Sequence, residues 1–156
     1  SMLVAVDSVH GSLTSPMVQK KGSGDESVMN AVLNWIAQLG VPKAEIKCDQ
    51  EPSTVDLANA LVARCKSTQL APKASPKGSK GSLGRDERGR LSVQGQVRTL
   101  RSATQEKYKI TINSQHVLMP WLRRHSSWIL ERFQPRWSGR AAHHSMRGKD
   151  YAGEVI

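Results

Sequence analysis

Aromatic residues are scarce: four tryptophans, two tyrosines and one phenylalanine in 156 residues. A core must therefore come from aliphatic side chains, and at 38% hydrophobic content it is a thin one. Cysteine is nearly absent. Cys48 and Cys65 stand far apart with no CxxC and no nearby histidine partner, which excludes a disulfide-stapled scaffold and a zinc finger. They read as buried thiols in a reducing compartment. No apolar run approaches the roughly 18 residues that a membrane helix needs, and no signal-peptide pattern opens the chain. The expectation is a protein that is not secreted, nuclear or cytoplasmic, with no membrane partner. Acids are the other shortage. Thirteen Asp and Glu face 23 Lys and Arg, a formal charge of +10, which points to a polyanionic partner.

The hydrophobic pattern is that of an α/β protein. Residues 2–9 and 13–20 read as a hairpin around His10-Gly11-Ser12, with Pro16 confining the second strand to an edge. Asp25 caps a helix in which Val28, Val32, Trp35, Ile36 and Leu39 recur at helical spacing, and Gly40 and Pro42 end it. Residues 44–49 form a strand, Ser53 and Asp56 have the spacing of a capping box, and a second helix runs to about Lys66. An extended stretch over 68–72 and a basic Gly/Ser/Pro-rich loop over 73–80 follow. Residues 86–107 read as a long helix with Val93, Val97, Leu100 and Thr104 on one face, weakened by Gly89 and Gly95. Pro120 opens a last helix to about Gln134, whose Trp121, Leu122, His125, Trp128, Ile129 and Phe133 are expected in the core. The division is a core over 2–134 and a basic irregular tail over 135–156. The chain also enters Leu3-Val4-Ala5-Val6 with no polar lead-in, from which a preceding piece of the fold is expected.

Two carboxylates stand where chemistry could use them. Asp49 ends a strand in Asp49-Gln50-Glu51-Pro52-Ser53, and Glu87 lies at the start of the long helix. Magnesium takes hard oxygen ligands, and a pair of such ions can clamp both oxygens of a phosphodiester displacement. Around Glu87 lie Lys73, Lys77, Lys80, Arg85, Arg88, Arg90, Arg98 and Arg101, with Asp86 and Glu87 the only acids in that span. Cations without a base-reading pattern suit phosphate contact. His143-His144 reads as an accident of the basic tail.

These segments, taken in order, resemble the integrase catalytic core of retroviruses and retrotransposons. Leu3–Gly11 resembles its second strand and turn, Asp25–Leu39 its first helix, and Ile46–Ser53 its strand-end aspartate. The stretch Pro76–Arg88 resembles the loop leading to the catalytic glutamate, with Leu83 and Asp86 departing from the usual residues there. Pro120-Trp121-Leu122 through Trp128, and the Gly139-Arg140 to Lys149 tail, resemble integrases carried in retrotransposon polyproteins. The resemblance implies an RNase H-like three-layer α/β fold, a mixed sheet flanked by helices, with the first, central strand missing from this chain. It implies 3′-end processing and DNA strand transfer with Mg2+ or Mn2+ bound by an Asp, Asp, Glu triad, of which Asp49 matches the second acid and Glu87 the third. Asp7 falls on a second-strand position that the family does not use for metal. DNA contact falls to Lys77, Lys80, Arg85, Arg88, Arg98 and Arg101, without sequence preference. The chain would act in a homo-oligomer or with the remainder of a polyprotein. With one acid short, whether it is an enzyme by itself stays open. The alternative is a catalytically silent nucleic-acid-binding remnant of such a polyprotein.

Overall fold

A computed structural model describes residues 2–74 and 84–155. In chain order the elements are β1 (Ala5–Val6), β2 (Leu13–Thr14), α1 (Glu26–Leu39), β3 (Lys43–Cys48), α2 (Pro52–Arg64), β4 (Gln69–Ala74), α3 (Gly84–Tyr108), α4 (Met119–Phe133) and α5 (Ala142–Arg147). Two compact units divide them, Val18–Arg85 with Met2, and Leu3–Met17 with the chain from Asp86 onward.

The first unit is a βαβ arrangement with α1 ahead of it. Asp25 caps α1, accepting from Val28 N at 3.2 Å, and its other oxygen accepts from Gln19 N at 3.0 Å. Gly40 closes the helix at φ +67°, a conformation that a residue with a Cβ rarely adopts. Val28, Met29, Val32 and Ile36 are buried, as are Leu57, Ala58 and Leu61 of α2. Strands β3 and β4 are parallel, in register from Lys43 opposite Gln69 to Cys48 opposite Ala74. A parallel pair needs a crossover, and α2 supplies it. Ala44, Ile46 and Cys48 share one half-buried face of β3 while Lys43, Glu45 and Lys47 are exposed. The capping box expected at α2 does not form. Pro52, whose missing N–H suits a first helical position, starts the helix after Glu51. Ser53 Oγ donates to Glu51, and Asp56 instead accepts from Ser23 N at 2.7 Å.

In the second unit the hairpin is present but short. β1 and β2 pair antiparallel over two residues each, Ala5 with Thr14 and Val6 with Leu13. The turn consumes the rest: Asp7 N donates to Ser12 O and Gly11 N to Asp7 O, both at 2.8 Å. α3 approaches β1 closely at Gly89, where an added Cβ would lie 2.7 Å from Val6 Cγ2. Val93 is its one buried residue, and Val97 and Leu100 pack on the cluster of Ile112, Met119 and Leu122.

Three further sequence expectations need correction. The single mixed sheet is two two-stranded sheets, one antiparallel and one parallel, and no strand among the described residues joins them. The ring-bearing side of α4 is not its core side: Met119, Leu122, Ser126, Ser127 and Leu130 are buried, while Trp121 is 49% and Phe133 39% exposed. Small serines let that face sit close to its neighbours, and Ser126 satisfies its own hydroxyl on Leu122 O at 2.7 Å. The tail is not irregular throughout. α5 forms there, ends at Gly148 with φ +72°, and buries Ala142.

Candidate functional site

Asp49 belongs to the first unit. It follows the last residue of β3 and is exposed. Two residues on, Glu51 pairs with Lys21 Nζ at 2.6 Å. That hydrogen bond holds the Glu51 carboxyl below its ordinary value and raises Lys21, to which the Asp49 charge adds in the same direction. The Cys48 thiol beside it is pushed up, first by burial and then by Asp49, so it is a poor nucleophile. Cys48 and Cys65 are half-buried free thiols.

Glu87 belongs to the second unit, with Asp86 in the first turn of α3. Acids suit that place because the free N–H groups of a helix start carry partial positive charge. Glu87 is exposed and so are Arg85, Arg88, Arg90, Arg98 and Arg101. Over its 25 residues α3 is roughly 37 Å long, enough to present cations along a turn of duplex. Lys77 and Lys80 lie outside the described residues. Lys73 sits in β4 and pairs with Glu45 at 2.7 Å.

Asp7 is occupied by its own turn. Its oxygens accept from Val9 N at 3.0 Å, His10 N at 2.8 Å and His10 Nδ1 at 2.7 Å. Such an Asx-type turn is a structural use of the carboxylate. His143 meets the edge of Tyr151, and His144 pairs with Asp150 at 2.8 Å. Exposed carboxylate oxygens are the right donors for Mg2+ or Mn2+. Among the described residues, however, no group of three or more His, Cys, Asp or Glu is placed to hold a metal ion. The donors described do not complete a cage for either ion.

Sequence reasoning missed a polar and aromatic network in the second unit. Arg136 Nη1 donates to His10 O at 3.2 Å and packs where a side chain on Gly11 would have to sit. The buried Ser12 hydroxyl donates to Glu131, which pairs with Arg132 at 2.9 Å. The Arg132 guanidinium lies 4.5 Å from the Trp128 ring and 5.2 Å from that of Tyr151. Trp121, His125 and Trp128 stack in sequence, with centroids 4.6 and 5.5 Å apart and planes within 14°. The spacing of the three rings along α4 is the available signal, but hydrophobic periodicity alone reads it as a core stripe. No helix among the described residues is long and apolar enough to cross a membrane.

No family model and no curated protein matches the sequence. Among solved structures the chain is similar to one from the cryo-EM structure of the simian T-cell lymphotropic virus intasome in complex with PP2A regulatory subunit B56 gamma. The TM-score is 0.68 at 15% identity, over 98% of this chain and 50% of the other. The chain thus spans half the length of that neighbour, and at this identity the likeness is one of fold.

Proposed function

We propose that the chain is the core of a DNA strand-transfer enzyme of the retroviral and retrotransposon integrase type, with an RNase H-like fold, and that it holds DNA without reading its sequence. The observation that carries this reading is the fold likeness to a chain of an intasome structure over 98% of the residues. Two placements agree with it. Asp49 directly follows β3, and Glu87 lies in the first turn of α3, where the resemblance expects the second and third acids. In this reading both carboxylates serve Mg2+ or Mn2+, and Arg85, Arg88, Arg98 and Arg101, with Lys77 and Lys80, neutralise DNA phosphates. The chain works within an assembly, with further copies of itself or with the remainder of a polyprotein, in the nucleus or cytoplasm.

A second reading has its own observation. Asp7, the remaining acid near the hairpin, is held in its turn by three hydrogen bonds, so a third ligand is not at hand among the described residues. A chain that keeps its cations without a full acid set would be a nucleic-acid-binding remnant. Assays of nicking and strand transfer in Mg2+ or Mn2+ separate the two. By itself the chain is expected to bind duplex but neither nick nor join it, because two carboxylates are too few for two ions. Joined to a segment that supplies a third acid, it should gain activity that Asp49→Asn and Glu87→Gln each abolish; continued silence there favours the remnant. Robust activity of the chain alone, lost on Asp7→Asn, would overturn this assignment of the acids.

A further inference from the structure

The stacked rings on α4 have one closed end and one open end. At the closed end Trp128 is covered by Arg132 and meets Phe133 and Tyr151 edge-on or tilted, at centroid distances of 6.0 and 5.2 Å. At the other end Trp121 is 49% exposed, and among the described residues its only ring partner is His125 beneath it. Trp121, Arg124, His125, Trp128 and Arg132 recur at three- and four-residue spacing, so they share one side of the helix. That side carries cations and flat rings. The nearby acid, Glu131, is turned inward to Ser12 and paired with Arg132, with only 13% of its side chain exposed. The net charge of +10 on the whole chain adds to the positive character of this side. A polyanion with flat, unpaired bases is complementary to it in both respects.

We propose that the outer face of α4 is a stacking platform for an unpaired nucleobase, which extends the Trp121–His125–Trp128 stack on the open face of Trp121 while Arg124 meets the adjoining phosphate. Stacking tolerates any base, because every base has a π-face. The site uses neither Asp49 nor Glu87, and shares with the preceding reading only a nucleic-acid partner. Duplex held by α3 would not need it, since paired bases offer no free face away from their ends.

The test compares the full chain with Trp121→Ala and Trp121→Phe on one mixed-sequence oligonucleotide, offered single-stranded and as a closed hairpin duplex without free ends. Trp121→Ala should lower single-strand affinity on the order of tenfold, as loss of one base–aromatic stack does, with duplex affinity unchanged and Trp121→Phe close to wild type. A 2-aminopurine in the single strand should be quenched on binding to wild type and not to Trp121→Ala, with far-UV circular dichroism confirming that the variant is folded. Equal losses on both nucleic acids, no loss on either, or unquenched 2-aminopurine would overturn the proposal. So would a Trp121→Ala effect on solution mass in place of binding, which would make the face a contact between copies. Arg88→Glu with Arg98→Glu separates the two readings: it should weaken duplex binding and leave the dependence of single-strand binding on Trp121 intact.

Discussion

Gly11 and Asp25 show how single residues hold the two units in shape. Gly11 has φ +74°, and the space its missing side chain leaves is filled by the Arg136 guanidinium, which bonds to His10 O. Gly11→Ala must adopt an unfavourable backbone and displace Arg136 as well. Urea denaturation should show a loss of about 2–3 kcal/mol, the sum of a left-handed penalty and a broken contact; a loss below the left-handed penalty alone would mean that Arg136 does not depend on that space. Asp25 accepts from Gln19 N, Val28 N and Lys20 N, and these bonds, with that from Gln19 foremost, hold its carboxyl below the usual value. A depressed carboxyl stabilises the fold above its unfolded value, about 3.9, and loses that contribution as pH falls through the folded one. Asp25→Ala should therefore cost about 1–2 kcal/mol at neutral pH, and the gap to wild type should narrow only below about pH 4. A gap that is flat down to pH 2 would remove the carboxylate from the account. Asp25 and Gly40 were legible in the sequence because capping is local. The pairing of Gly11 with Arg136 was not, because the two residues meet only through the fold.

At the scale of elements, periodicity found the helices and misjudged what some of them face. α1 and α3 lie within two residues of their expected spans, since Val28, Val32 and Ile36, and Val93 with Val97 and Leu100, do point to the core. On α4 the same reasoning picks Leu122, which is fully buried, together with Ile129 and the rings, which are half-buried or exposed. The core side instead uses Ser126 and Ser127, residues that no hydrophobic pattern selects. α5 escaped notice because only Ala142 of its six residues is buried. The two glycines of α3 were read alike, as weak points, but the structure separates them. Nothing lies near a Cβ added at Gly95, whereas one at Gly89 meets Val6. Gly95→Ala should stabilise by up to about 1 kcal/mol through helix propensity alone. Gly89→Ala should destabilise by about 1–2 kcal/mol, overpacking against β1 outweighing the same gain. Equal shifts of one sign in thermal melts of the two variants would show that α3 does not pack on the hairpin at Gly89.

At the scale of the molecule, the surplus of positive charge suits the polyanionic partner proposed above. The surplus of cations was readable from composition, and the exposed arginines of α3 give part of it a place. The α/β class was readable as well. The sheet was readable in part: the short turn between β1 and β2 makes them a hairpin, whereas one-dimensional patterns do not say that β3 pairs with β4 in parallel and apart from it. Asp49 and Glu87 were singled out by their places at a strand end and a helix start together with the resemblance, whereas the Trp121–His125–Trp128 stack became visible only with side chains in place. The proposal that most needs testing is that this chain binds DNA through phosphate neutralisation and reads no sequence. Its most direct test is the salt dependence of affinity for two duplexes of unrelated sequence, measured for wild type and for Arg88→Glu with Arg98→Glu. Affinities for the two duplexes should be equal at each salt concentration and decline steeply with salt. In the double variant the log–log slope should be shallower by roughly two, about one per lost phosphate contact. A clear preference for one duplex, or a slope that the two substitutions leave unchanged, would contradict it.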